Sequence, residues 1–282
     1  MYSNTLVSTE DLAAHLEDPN WVVLDCRFTL TDTEAGRQAY LKSHIPGARY
    51  VHLDEDLSGP VGEKTGRHPL PNPQVLNEKL CQWGVGVNKQ VVVYDDSFGA
   101  MAVRLWWLMR WLGHPGVALL DGGFPKWTRE KRPLSTEPPV PHKAACAYLP
   151  EPSQIVTADE ILRASQTGEQ LILDARPDRR FSGEFEPLDP VAGHVPGAIN
   201  RPFEDNLDLD GTFQPPEALR EEYQALLKGR APWQVLHMCG SGVTACHNIL
   251  AMEIAGLPGS RLYPGSWSEW ITDPKRPVAT GE

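Results

Sequence analysis

Apolar residues along the chain gather in short unbroken runs. "WVVLDC" (21–26), "VVVYD" (91–95) and "VALLDG" (117–122) lack the alternation of a strand with one face in water, so each predicts a strand buried on both faces. Helix-length segments separate them; in "TADEILRASQ" (157–166), Thr157 stands as an N-cap ahead of an acidic first turn. Strand, turn and helix in alternation predict an α/β fold in which a parallel sheet carries helices on both faces. Ligands of such sheets sit at the carboxyl ends of the strands.

The pattern is written twice. "WVVLDCR" (21–27) is echoed by "LILDAR" (171–176), "SHIPGARYVHLDEDLSG" (43–59) by "GHVPGAINRPFEDNLDLDG" (193–211), and "DGGFPKW" (121–127) by "YPGSWSEW" (263–270). Likewise "VVVYDDSFGAMAVRLWWLMRWLG" (91–113) answers "VLHMCGSGVTACHNILAMEIAG" (235–256). Order is kept and spacing nearly so: 19 positions part Asp25 from His44, and 20 part Asp174 from His194. A solenoid repeat has a period of roughly 20 to 50 residues, so this is duplication of a whole domain. The halves are placed at 1–135 and 154–282. Between them, a linker at 136–153 belongs to a stretch whose prolines at 133, 138, 139, 141, 150 and 152 bar continuous helix.

Composition narrows the partners. With 282 residues, 41% hydrophobic and 22% charged, the chain is ordinary globular protein. A formal charge of −11 disfavours nucleic acid and anionic membrane, leaving small molecules and proteins. The start has no basic or apolar leader, and the most apolar stretch, 101–113, is broken by Arg104 and Arg110, so neither an export signal nor a membrane span is expected. Five cysteines, at 26, 81, 146, 239 and 246, form no CxxC pair or disulfide framework, which fits a reducing cytoplasm. Monomer is the default expectation.

Cys239 carries the candidate chemistry. It follows the strand "QVLHM" directly, and "GSGVT" then turns into the helix "ACHNILAMEIAG". The sulfur therefore sits where successive amide N–H groups and a helix N-terminus converge, a setting that stabilises a thiolate. Gly240 and Gly242 are expected to supply unusual dihedrals and close approach, curling the turn into an anion-binding nest. The other half is an internal control: Asp95 aligns with Cys239, Asp96 with Gly240 and Phe98 with Gly242. Asp95 cannot do thiol chemistry, so one active site is expected, in the C-terminal half, with the N-terminal half as scaffold and one wall of the cleft. Free cysteines are often merely buried core, which is the competing reading of Cys239.

These residues resemble the rhodanese sulfurtransferase superfamily over nearly the whole chain, through "LDCR" and "LDAR", "HIPGA" and "HVPGA", and the cysteine loop. The resemblance implies two tandem rhodanese-like domains, the second catalytic. "CGSGVTA" looks like the loop of its 3-mercaptopyruvate sulfurtransferases; thiosulfate-preferring members usually carry basic residues there. An uncharged loop also suits a monoanionic donor better than a dianion. The resemblance implies attack of Cys239 on the donor sulfur, departure of pyruvate, and a Cys239 persulfide that a thiol such as thioredoxin or glutathione, or cyanide, then relieves. Gly240, Gly242, Val243 and Thr244 would line the donor, and Arg180 matches the arginine that binds its carboxylate. Ser241 matches a loop serine proposed to form a relay with His68 and Asp54.

One position departs from the family. Leu188 in "EFEPLD" stands where a second carboxylate-binding arginine is common, a loss of about 1.5 to 3 kcal/mol if that bond is charge-assisted. Either the donor is a different thiol acid, or another basic residue, such as Arg201 or Arg67, reaches in. Thiosulfate sulfur transfer and a non-catalytic persulfide carrier remain alternatives. Phosphatase chemistry fits poorly, because the loop is short and position 245 is alanine instead of arginine. Asp25, Arg27, His44, Asp174, Arg176 and His194 recur in both halves and read as structural; Cys246 reads as core, and Cys26, Cys81 and Cys146 carry no signal. "GVGVNK" (84–89) precedes its strand and is no dinucleotide fingerprint. No cofactor is expected, and no metal-ligand spacing stands out.

Overall fold

The computed structural model describes residues 2–140, 143–145 and 148–281, so Pro141 and Cys146 lie outside it. The chain divides into two compact units. The first comprises Met1–Gly59, Leu70–Glu151 and Leu209–Thr212; the second comprises Pro60–Pro69, Pro152–Asp208 and Phe213–Glu282. Each therefore holds a short segment that the sequence assigns to the other half.

In the first unit the chain runs β1 (Leu6–Val7), α1 (Thr9–Ala14), β2 (Trp21–Asp25), α2 (Ala35–Lys42), β3 (Arg49–Tyr50) and α3 (Leu53–Leu57). It continues through α4 (Pro73–Gln82), β4 (Gln90–Tyr94), α5 (Ala102–Trp111), β5 (Val117–Leu120) and α6 (Gly123–Arg129). The five strands pair in parallel in the order β1-β5-β4-β2-β3. On one face Val23, Val92, Tyr94, Ala118 and Leu120 pack with Leu12 of α1 and Trp127 of α6. Alternate residues Val91, Val93 and Leu119 are as deeply buried on the other face, where α5 packs. Strands covered on both sides have no reason to alternate, which is why their sequence is apolar throughout.

The second unit repeats the plan: α7 (Ala158–Thr167), β6 (Leu171–Asp174), α8 (Asp178–Phe181), β7 (Ile199–Asn200), α9 (Pro216–Leu227), β8 (Val235–Met238), α10 (Ala245–Ile254), β9 (Arg261–Leu262) and α11 (Ser266–Trp270). Its parallel order is β7-β6-β8-β9. Thr157 caps α7 as expected: its hydroxyl accepts the Glu160 N–H, and the Glu160 carboxylate accepts the Thr157 N–H, closing a capping box. Ile172, Leu236 and Met238 meet Trp267 and Trp270 of α11 in the core.

The residues shared by both halves do the same job in each. Asp25 and Asp174 accept from Arg27 and Arg176, and those guanidiniums also donate to the carbonyls of Ser43 and Gly193. His44 stacks on Tyr40 and His194 on Phe181, with centroids 4.1 and 3.9 Å apart. Cys81 is disulfide-bonded, a bond the scattered cysteine spacing does not announce, whereas Cys26, Cys239 and Cys246 are thiols outside any disulfide. No helix among the described residues is long and apolar enough to cross a membrane.

Two buried histidines tie stability to pH. Burial alone pushes His237 of β8 down to about 3, and neither of its ring nitrogens has a partner; burial likewise takes His114 down to about 4. Above about pH 6.5 both are neutral folded or unfolded. Below that, only the unfolded chain gains the proton, so stability falls with acidification, by up to about 1.4 kcal/mol per pH unit for each site until its folded value is passed. Urea unfolding between pH 7.5 and 4.5 is expected to show this decline, shallower in His237→Leu by about one proton's worth of slope. An unchanged slope in the variant would mean that His237 is protonated in the fold.

Candidate active site

Cys239 stands one residue beyond β8, at the carboxyl edge of the sheet, and its side chain is 2% exposed. The turn folds back so that the Gly242 N–H donates to Sγ at 3.2 Å. Position 242 has φ +76°, and a Cβ there would lie 2.3 Å from the Pro264 carbonyl oxygen, so only glycine fits. Gly240 needs no special dihedral, contrary to the sequence expectation. It needs space: a Cβ there would fall 2.8 Å from Arg67 Nη2 and 3.4 Å from both terminal nitrogens of Arg180. Val243 and Thr244 complete the turn; Val243 is buried, and Thr244 stands at the N-cap position of α10 without a capping side-chain hydrogen bond.

The start of α11 holds the loop from behind. Trp267 N–H donates to the Cys239 carbonyl at 3.0 Å and Ser268 N–H to the Gly240 carbonyl at 2.9 Å. Ser266 is a fully buried residue in the left-handed region, φ +52°. Its hydroxyl accepts the Cys239 N–H at 3.1 Å and donates to the Tyr263 carbonyl at 2.9 Å. The aligned residue of the first half, Gly123, has φ +57°, so the serine bears a strain that the glycine avoids. Sequence reading missed Ser266, although a serine opposite a glycine in the repeated motif was a visible signal.

Pro60–Pro69 supplies the next layer. Gly66 passes so close to α11 that a Cβ would sit 2.5 Å from the Gly265 carbonyl oxygen, and Arg67 N–H donates to Ser268 Oγ at 3.0 Å. His68, 4% exposed, then shares a 2.7 Å hydrogen bond between Nδ1 and Ser241 Oγ. Two of the three expected relay members are thus brought together in this unit. Asp54 lies in the first turn of α3, in the first unit.

Charge beside the loop is dense and balanced. Arg180, in α8, donates to Glu186 and Asp189, and Arg67 pairs with the other oxygen of Asp189. Arg179 points elsewhere, exposed and paired with Glu184. Burial opposes the charge of Arg176, but Asp174, Glu186 and Cys239 outweigh it and raise the guanidinium above its usual range. Burial also acts against Glu186, yet Arg180 and the amides of Leu188 and Asp189 hold it below the usual carboxylate range. Asp189 is raised, chiefly by burial, with Arg67 pulling the other way. Neither acid was legible in the sequence as part of the site.

The first unit has the same turn filled differently. The buried Asp95 carboxylate accepts N–H groups from Ser97, Gly99, Met101 and Ala102 at 2.8–2.9 Å. Its own side chain occupies the amide cradle. Among the described residues one close group of metal-capable side chains exists, Glu34, His52 and Glu55. His52 Nδ1 already accepts the Asp54 and Glu55 N–H groups, and Nε2 lies 3.1 Å from the Thr33 carbonyl oxygen, so the ring has no lone pair to offer.

Comparison with known proteins agrees with this architecture. A rhodanese-like domain profile matches residues 8–130 and 157–273. A probable 3-mercaptopyruvate sulfurtransferase of Pseudomonas aeruginosa is 49% identical over 286 residues, covering 100% of both chains. A thiosulfate sulfurtransferase of Mus musculus is 33% identical, over 98% of this chain and 96% of its own. Among solved structures, SseA from Escherichia coli, a 3-mercaptopyruvate sulfotransferase, superposes with TM-score 0.79 and 32% identity over 94% of this chain and 100% of its own.

The Ser266 geometry makes a directional prediction. Ser266→Ala removes both hydroxyl bonds and strands buried backbone groups, which costs roughly 1–3 kcal/mol. Ser266→Gly loses the same bonds but relieves the left-handed strain, so it is expected to be the more stable variant by about 1 kcal/mol. Denaturant unfolding of the two checks the order; alanine at least as stable as glycine would mean that position 266 is not strained.

Proposed function

Because the chain belongs to the rhodanese family, we propose that it is a 3-mercaptopyruvate sulfurtransferase working through a persulfide on Cys239. The carrying observation is the loop itself: residues 239–244 present a sulfur to a backbone N–H, with no charged side chain inside the turn. A persulfide anion fits such a nest. Two guanidiniums, from Arg180 and Arg67, stand outside it beside Gly240, where a donor's carboxylate would lie.

The chemistry follows atom by atom. Cys239 thiolate attacks the thiol sulfur of 3-mercaptopyruvate, an S–S bond forms and the donor's C–S bond breaks. Its electron pair passes into the pyruvate enolate, which takes at carbon the proton that the donor's thiol gives up as the persulfide anion forms, and pyruvate leaves. The hydrogen-bonded Ser241–His68 pair is the candidate carrier of that proton, a contribution of typically about 10² to 10⁴ in rate; Asp54 joins the relay by resemblance alone. An acceptor thiol or cyanide then attacks the outer sulfur and returns Cys239 as thiolate. Since relatives carry the names of both donors, the uncharged loop is what favours the monoanionic one.

Sulfur transfer from 3-mercaptopyruvate and from thiosulfate, measured side by side with intact mass after each donor alone, tests this. Expected are one added sulfur atom on Cys239 with 3-mercaptopyruvate, a higher kcat/KM for it, and no transfer by Cys239→Ser. His68→Gln is expected to lower kcat about 10²-fold or more. A higher kcat/KM for thiosulfate would replace the donor, and full activity in Cys239→Ser would remove this thiol from the mechanism.

A further inference from the structure

We propose that Arg67 is the second carboxylate-binding cation of the site, taking the role that Leu188 cannot fill; this rests on a thiol carboxylate being the donor. Three observations converge. Arg67 Nη1 is anchored on Asp189, the carboxylate that also holds Arg180, so one buried acid sets both guanidiniums side by side. Arg67 Nη2 and Arg180 Nη1 then approach a single point above Gly240, 2.8 and 3.4 Å from where a Cβ would stand. Finally, the Arg67 side chain is 29% exposed and that of Arg180 15%, so both guanidiniums keep an edge that a solute can reach.

The alternative named by the sequence is otherwise engaged. Arg201 donates to Glu222 at 2.5 Å and lies over the Tyr223 ring at 5.2 Å. Leu188 is itself 38% exposed and brings no charge. Arg67 comes from a different part of the chain than the family's second arginine, yet its backbone is pinned by Ser268, and His68 beside it meets Ser241. The proton carrier and the receptor of the carboxylate are therefore neighbours on one short segment.

Charge balance sharpens the specificity. Asp189 and Glu186 already offset Arg67 and Arg180, leaving edges of N–H donors but no net positive charge. Such a receptor recognises a planar monoanion by its two oxygens, and gives a compact dianion little additional attraction. Asp189 is a positioning residue in this scheme, because it acts only through the two arginines.

Steady-state kinetics of Arg67→Gln and Arg67→Lys, with 3-mercaptopyruvate and with its uncharged methyl ester, test the inference. For the acid, Arg67→Gln is expected to raise KM about 10- to 100-fold with kcat within about threefold. Arg67→Lys falls between, since an ammonium keeps charge but lacks the fork. The ester is expected to be indifferent to both changes. Equal losses on acid and ester, or an unchanged KM for the acid, would overturn the assignment. Calorimetric titration of pyruvate into Cys239→Ser protein reads the same site without turnover. If 3-mercaptopyruvate proves not to be a donor while pyruvate binding weakens at least tenfold in Cys239→Ser/Arg67→Gln, the proposed function falls and the carboxylate receptor stands. No pyruvate binding, or binding indifferent to Arg67, sinks the receptor itself.

Discussion

Each unit hangs on a buried carboxylate–guanidinium clamp two residues long. Asp25 with Arg27, and Asp174 with Arg176, are all at most 3% exposed, and the pairing distances are 2.6 and 2.7 Å. Burying such a pair adds little net stability, but removing one partner would leave an uncompensated charge, so the geometry is enforced. Each guanidinium lies over an aromatic ring, Phe124 or Trp267, at 4.3 and 4.8 Å. The N–H of that aromatic residue in turn donates to the carbonyl of Asp95 or Cys239. A chain of three contacts thus runs from the strand end to the residue at the head of the turn, Asp95 or Cys239.

With the frame held constant, a few side chains make the two turns different. A carboxylate can turn its oxygens inward and consume four amides; the Cys239 thiol takes one. Around the thiol, arginines alternate with acids so that each cation has a fixed direction. Such preorganisation costs stability elsewhere, as the left-handed serine at 266 illustrates.

What was legible in the sequence follows from the range of the forces involved. Apolar runs mark β2, β4, β5, β6 and β8 because burial on both faces leaves a local trace, and the Thr157 cap closes within three residues. The two-residue strands β1, β3, β7 and β9 are too short to leave a pattern. The duplication and the cysteine loop were visible because they repeat or concentrate in a few positions. The Asp189–Arg67 pair spans 122 positions and the Arg67–Ser268 bond 201, and no local pattern encodes them. Gly240 shows the limit most clearly: the glycine was recognised, but its reason is the nearby guanidiniums and not its dihedral angles.

The segment Pro60–Pro69 has a consequence for how such a chain can be cut or recombined. It leaves the first unit at Gly59 and re-enters it at Leu70, and meanwhile supplies the second unit with Gly66, Arg67 and His68. Leu209–Thr212 makes the reciprocal exchange. The duplicated halves are consequently not modules in the sense of exons or fusion cassettes. A gene fragment encoding only the cysteine-bearing half would carry Cys239 and Ser241 without Arg67 and His68, so neither the Ser241–His68 bond nor the Arg67–Asp189 pair could form in it.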